Sequence, residues 1–257
     1  MRRHRVTTNL IQAMIFKKSF FWKWMGILLA FSIAGAADLA LTWQASEIRG
    51  HPHLLRLTES VMEGGAPGLA DITLLFFLPA GVVYGLSFLP GAGRRLQALR
   101  SFTGRVFLVG VTTILLVKGI QAFMARPWPL VVLRGQLGFH PWFQPGDRML
   151  LPISRPGAFP ALAPALSCAL IAWERPNSRS RLLWIAVAMW FVTMGWLVVY
   201  AQLAWLTDVL AGGWLGLSVA AFIHPRGGTL MPWRGLQLMG LGSILWVLGV
   251  GWRAWLG

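Results

Sequence analysis

The sequence predicts an all-α integral membrane protein, and three observations carry that prediction. Apolar residues make up 56% of the 257-residue chain and charged residues only 12%, against about 25% charged in an ordinary soluble domain. Seven stretches are apolar over lengths near the ~20 residues a helix needs to cross a bilayer. They are Ser19–Trp43, Asp71–Leu89, Phe102–Met124, Pro160–Trp173, Leu182–Tyr200, Thr207–Ile223 and Leu236–Leu256, the fourth being short. Many of the 15 Trp stand near the ends of those stretches, where indoles anchor at the headgroup level. A soluble core could not bury this much apolar surface under so little polar cover.

The net charge of +15 does not point to nucleic acid. The cations form no basic stripe with interleaved aromatics; they lie in short segments between apolar runs, which is a topology signal. Arg2, Arg3, Arg5, Lys17, Lys18 and Lys23 precede or open the first run. Later clusters are Arg94, Arg95 and Arg100, then Arg175, Arg179 and Arg181, then Arg226 and Arg234. The alternate loops are poorer in cations for their length, and the first carries Glu47, Glu59 and Glu63. Excess Lys and Arg marks the cytoplasmic side. The N-terminus is therefore expected inside, with Gln44–Ala70 and Ala125–Phe159 facing outward. The expected location is a bacterial inner (plasma) membrane.

Ala34-Gly35-Ala36 looks like a signal-peptide cleavage site, but the apolar run continues through Leu39, Leu41 and Trp43 as a span would. Thr7–Phe16 fits either an amphipathic helix on the inner headgroups or a frayed basic tail. No repeat occurs at the roughly 20–50-residue periods of solenoids, and no long linker divides the chain. One membrane domain is expected: a basic segment over 1–18, a transmembrane domain over 19–224 and an additional C-terminal helix over 225–257. The last is rich in glycine (Gly235, Gly240, Gly242, Gly249, Gly251), which suits close helix packing. The one cysteine, Cys168, allows no intrachain disulfide and no metal cluster. Neither metal nor other cofactor is expected.

Three places on the expected outer side depart from generic loop composition. Lys118 is followed by Gly119–Ala125 and then Arg126-Pro127. Ala158-Phe159-Pro160-Ala161-Leu162-Ala163 opens the fourth run. Tyr200-Ala201-Gln202-Leu203-Ala204-Trp205-Leu206-Thr207-Asp208-Val209-Leu210-Ala211-Gly212 joins the fifth to the sixth. In order, spacing and topology they resemble the type 2 phosphatidic acid phosphatase superfamily, which also holds the vanadium haloperoxidases. That resemblance covers most of the chain from the first run to the sixth. It implies a six-helix bundle, to which this chain adds a seventh span. The family site has three motifs: Lys, six residues, Arg-Pro; Pro-Ser-Gly-His; and Ser-Arg, five residues, His, three residues, Asp. Val-Leu-Ala-Gly commonly follows the last Asp, as it does here after Asp208.

The resemblance implies a phosphoryl-transfer site in which a His attacks phosphorus, the Asp orients that His, a second His protonates the leaving oxygen, and the cations neutralise developing charge. Carried over by position, Lys118, Arg126, Pro127, Pro160 and Asp208 are retained, with seven residues rather than six between Lys118 and Arg126. The second-motif Ser, Gly and His fall on Ala161, Leu162 and Ala163. The Ser-Arg pair falls on Leu197 and Val198, and the nucleophilic His on Ala204. Alanine has no lone pair to attack phosphorus and no proton to give. Loss of a nucleophile removes many orders of magnitude in rate.

His140, in the outer loop, is the best substitute histidine, but a loop lacks the rigid support that catalytic geometry requires. Arg134, Arg148 and Arg155, near Trp128, Trp142 and Phe143, fit equally an anionic headgroup clamp and an amphipathic loop lying on the bilayer. Each retained polar residue also has an ordinary reading. Lys118 could snorkel, Arg126-Pro127 could anchor at the interface, and Asp208 could complement a helix N-terminus. An Asp at membrane depth nevertheless calls for a cationic partner, and Arg126 and Lys118 are the natural ones. The three together, in family order, favour an inherited site.

The sequence thus points to a catalytically degenerate phosphatase-like protein, with Lys118 and Arg126 as phosphate-binding candidates. It would bind membrane lipids or serve as a scaffold or accessory subunit for a membrane protein partner. The alternative is an active lipid phosphate phosphatase or diphosphatase with an unorthodox site. No span shows the paired, Gly/Pro-broken pattern of a transporter. The charge bias predicts that a reporter active only in the cytoplasm is on when fused after Arg181 and off when fused within Gln136–Arg148. The reverse pattern would overturn the orientation.

Overall fold

The computed structural model describes residues 26, 29–38, 40, 41, 44, 73–91, 93–124, 126–129, 132, 158–175, 180–223 and 232–256. Among these the regular structure is entirely helical. In chain order the helices are α1 (Leu29–Asp38), α2 (Leu78–Leu86), α3 (Arg94–Met124), α4 (Leu162–Ala169, continued by a 3₁₀ turn over Leu170–Trp173), α5 (Arg181–Tyr200), α6 (Leu206–Ile223) and α7 (Pro232–Leu256).

Each of the seven apolar runs overlaps one of these helices, and among the described residues four are long and apolar enough to cross a membrane: α3, α5, α6 and α7. The full-length spans expected over Ser19–Trp43 and Asp71–Leu89 contain shorter helices within the described residues, and the run over Pro160–Trp173 is short, as its sequence indicates. For α4 the cause is local. Pro160 and Pro164 confine the helix start to Leu162, and the 3₁₀ turn ends at Trp173. Its 8 plus 4 residues rise about 20 Å, short of the ~30 Å hydrocarbon layer. At α3 the helix begins at Arg94, two turns before the apolar run begins at Phe102. Its 31 residues rise about 46 Å, so the cationic first turns extend beyond the apolar layer. Hydropathy marks the lipid-embedded part of a helix; the hydrogen-bonded part ends elsewhere. Ala34-Gly35-Ala36 lies inside α1, with Ala34 buried.

Burial sorts the spans into central and peripheral ones. The apolar windows of α3 and α6 are 56% buried, against 28% for α5 and 17% for α7. The core is built by Val106, Val109 and Leu116 of α3, Leu166 of α4, Met194 and Val198 of α5, and Val209, Val219 and Ile223 of α6. Leu182, Met189, Val192 and Trp196 of α5 and Leu236, Val247 and Leu248 of α7 are exposed. Such faces would be a liability in water and are the ordinary exterior of a helix in lipid.

Two glycine seams set the helix spacing. On α6, Gly212 and Gly216 lie against the backbone of α4: a Cβ at Gly212 would strike the Ala161 carbonyl, and one at Gly216 the Ala165 carbonyl. This is the small-xxx-small geometry by which backbones approach in membranes. On α7, Gly235, Gly242 and Gly249 recur every seventh residue and face Leu108, Leu115 and Ala122, which recur every seventh residue along α3. Both series ascend together, so α7 lies parallel to α3 in a heptad-spaced seam. Two of the five α7 glycines lie off it: Gly240 and Gly251 have nothing within 4 Å of a built Cβ.

The seam predicts an internal contrast. Gly242→Leu should lower unfolding stability in detergent by about 1–3 kcal/mol, the usual cost of overpacking. Gly240→Leu should fall within about 0.5 kcal/mol of wild type. Equal effects of the two substitutions would refute the seam.

Candidate functional site

The chain segment leaving α3, the end of α1 and the turn into α6 meet in one buried polar cluster. Ser180 caps α5 by accepting from the Leu183 amide, and α5 runs to Tyr200. There the chain reverses tightly. The Ala201 amide donates to the Leu197 carbonyl, and the amides of Leu203 and Ala204 both donate to that of Val198. Gln202, with φ of +57°, takes the left-handed conformation this reversal needs. The turn delivers Trp205, Thr207 and Asp208 to the N-terminus of α6.

Arg126 lies just past α3 and is fully buried. Its Nη1 donates to Asp208 Oδ1 at 2.5 Å and to Thr207 Oγ1 at 2.6 Å, and its Nη2 donates to Asp38 Oδ2 at 3.0 Å. Thr207 in turn donates its hydroxyl to Asp38 Oδ2 at 2.6 Å and its amide to Asp38 Oδ1 at 3.0 Å. Asp208 Oδ2 accepts the Trp205 amide at 2.9 Å. Trp205, also fully buried, donates its indole N–H to the Pro127 carbonyl at 3.0 Å, and its ring lies 5.3 Å from the Arg126 guanidinium carbon. Both ion pairs have side chains at most 1% exposed.

Among the described residues, the cluster sets two carboxylates against one guanidinium. The amide ends of α6 complement the imbalance. A helix N-terminus carries about half a positive charge, and Asp38 and Asp208 accept the amides of Thr207 and Trp205 there. Asp38, from a distant helix, therefore acts as an N-terminal cap for α6.

The middle motif joins the same assembly. The Phe159–Pro160 peptide is cis. The Ala161 amide donates to the Asp208 carbonyl at 2.9 Å, the Ala158 amide to the Arg126 carbonyl at 2.9 Å, and Gln121 Nε2 to the Pro160 carbonyl at 2.8 Å. The three sequence motifs thus meet at one end of the bundle. The six positions compared above with the family motifs are apolar and packed among the described residues. Ala161, Ala163, Val198 and Ala204 belong to the buried apolar core, and Leu162 and Leu197 pack against it.

Among the retained residues, the structure brings Arg126 and Asp208 into direct contact. Lys118 sits on α3, half-buried, nearly two turns before Met124. His140, Arg134, Arg148 and Arg155 lie outside the described residues. Sequence reasoning missed Asp38, Thr207, Trp205 and Gln121. For Asp38 a signal existed, because an acid inside an apolar run requires a partner at membrane depth. The others are ordinary residues whose roles depend on the meeting of distant segments. The arrangement binds helices together, with both Asp208 oxygens and both terminal nitrogens of Arg126 engaged inside the protein. No family model, no curated protein and no solved structure matches the chain.

This coupling is measurable. Arg126→Ala should cost about 3–5 kcal/mol in detergent unfolding, because it strands buried carboxylates. Adding Asp208→Asn should recover part of the loss, a non-additive result. Simple addition of the two single effects would mean that the residues act independently.

Proposed function

We propose that this helical membrane protein is a catalytically silent relative of the type 2 phosphatidic acid phosphatases, working as a lipid-binding or scaffolding subunit. In this reading α1 to α6 form the family bundle, α7 is an addition, and the Arg126 cluster faces outward from a bacterial inner membrane. One observation carries the proposal. Arg126 is shared between Asp38 and Asp208 inside the protein, while the positions matched to the two family histidines, Ala163 and Ala204, are apolar core.

Phosphoryl transfer would need a nucleophile, a proton donor and cations turned toward phosphorus. The matched positions supply neither of the first two, and Arg126 already bridges two carboxylates. The inherited cluster has become a fastening between helices. The lipid-like exterior of α5 and α7 then offers the surface on which a lipid or a membrane protein partner is met.

The purified protein should release no phosphate from phosphatidic acid, phosphatidylglycerol phosphate or polyprenyl diphosphate above a detergent blank. Turnover at an ordinary enzymatic rate, about 1 per second or more, would overturn the reading.

A further inference from the structure

A second buried arginine lies on α3 itself, close to the start of its apolar run. Arg105 is only 2% exposed. Met124 lies nineteen positions further along the helix, roughly 28 Å of rise, about the thickness of the hydrocarbon layer. Arg105 and Arg126 therefore stand at the two boundaries of one span, and their surroundings differ. Arg126 has two carboxylates. Arg105 donates Nη2 to the backbone carbonyl of Glu174 at 2.5 Å, and it forms no ion pair with the Glu174 carboxylate among the described residues. The guanidinium carbon lies 5.2 Å from the centre of the Phe102 ring, which meets the Trp173 ring edge-to-face at 5.9 Å.

Within this cluster two buried N–H donors, Arg105 Nε and Trp173 Nε1, have no acceptor among the described residues. Buried donors are normally satisfied, and an orphan on a guanidinium is the more costly kind. The field around them has one sign. Arg94, Arg95 and Arg100 crowd the first two turns of α3, where the helix dipole already disfavours cations. Arg175 and Arg181 follow close by in the chain, and Glu174 is the sole described acid at this end.

We propose that Arg105 and the Trp173 indole form a binding site for an anionic phosphate group at this end of the bundle. The proposal does not rest on the phosphatase-like reading of the Arg126 cluster. A guanidinium and an indole N–H are both donors only, so the missing partner must accept hydrogen bonds. The surplus of cations calls for a negative charge, and guanidinium geometry suits phosphate oxygens. The depth of Arg105 suits a lipid headgroup, while a soluble phosphate would offer the same oxygens.

Calorimetric titration of the full chain in neutral detergent tests this with dihexanoyl phosphatidylglycerol, dihexanoyl phosphatidylcholine and inorganic phosphate. Phosphatidylglycerol should bind at least tenfold more tightly than phosphatidylcholine. Arg105→Lys and Trp173→Phe should each weaken phosphatidylglycerol about tenfold, whereas Trp196→Phe, at an exposed position near the far end of α5, should change it less than threefold. Inorganic phosphate binding tenfold or more weakly than phosphatidylglycerol identifies the lipid headgroup as the ligand. Equal affinity identifies a soluble phosphate group at the same site. Absence of binding, failure to distinguish the two lipids, or unchanged affinity in both variants overturns the site. Should Arg105→Lys fail to fold, unchanged affinity in Trp173→Phe alone overturns it.

Discussion

A guanidinium held inside an apolar bundle needs carboxylate partners, and the Arg126 end of the fold is organised around meeting that need. Asp38 must come from α1, Asp208 from α6 and Arg126 from the segment after α3. Three pieces of chain, far apart in sequence, are thereby fixed relative to one another. Each carboxylate also takes an amide at the start of α6, so the ion pairs and the helix start are one structure. A buried ion pair is weak evidence for net stability, since desolvation offsets the attraction. Its effect here is positional: alternative arrangements of α1 against α6 would leave a charge unpaired at low dielectric.

Packing elsewhere follows from the solvent. In lipid, helices gain little from hiding apolar surface, and close contact between backbones does more of the work. The α4–α6 and α3–α7 pairs both follow this rule, through glycines at fourfold and sevenfold spacing. Loss of side chains at these contacts carries a helix-propensity cost of about 1 kcal/mol per glycine, offset by close contact along the seam. The α4–α6 seam has a second consequence. It presses Ala161 toward Gly212, four residues beyond Asp208, and so brings the middle motif onto the Arg126 cluster.

The two arginines at the ends of the α3 span show how environment sets the role of a residue type. Arg126 is matched inside the protein by two acids, and its geometry is closed. Arg105 has a backbone carbonyl and aromatic rings around it, with donor capacity left over. Identical side chains thus meet different surroundings, one fully engaged as a fastening and the other buried with a donor left over.

By itself the sequence determined the helical class, the seven apolar runs and the need of Asp208 for a cationic partner, with Arg126 and Lys118 as the candidates; the structure puts Arg126 in direct contact with it. Each follows from a local or one-dimensional property: length of an apolar run, Lys and Arg bias, or the cost of an acid at membrane depth. Helix limits were less legible, because hydropathy reports the lipid-facing part of a helix, as the early start of α3 and the shortness of α4 illustrate. Only the tertiary structure decided that Asp38 is the second partner, that Thr207 bridges the two acids, and that Trp205 fills the space beside the guanidinium. It also decided which of five α7 glycines meet α3. These outcomes depend on helix rotation and on the meeting of segments more than eighty residues apart. No window of sequence contains that information, because the energy that selects it resides in contacts between the helices.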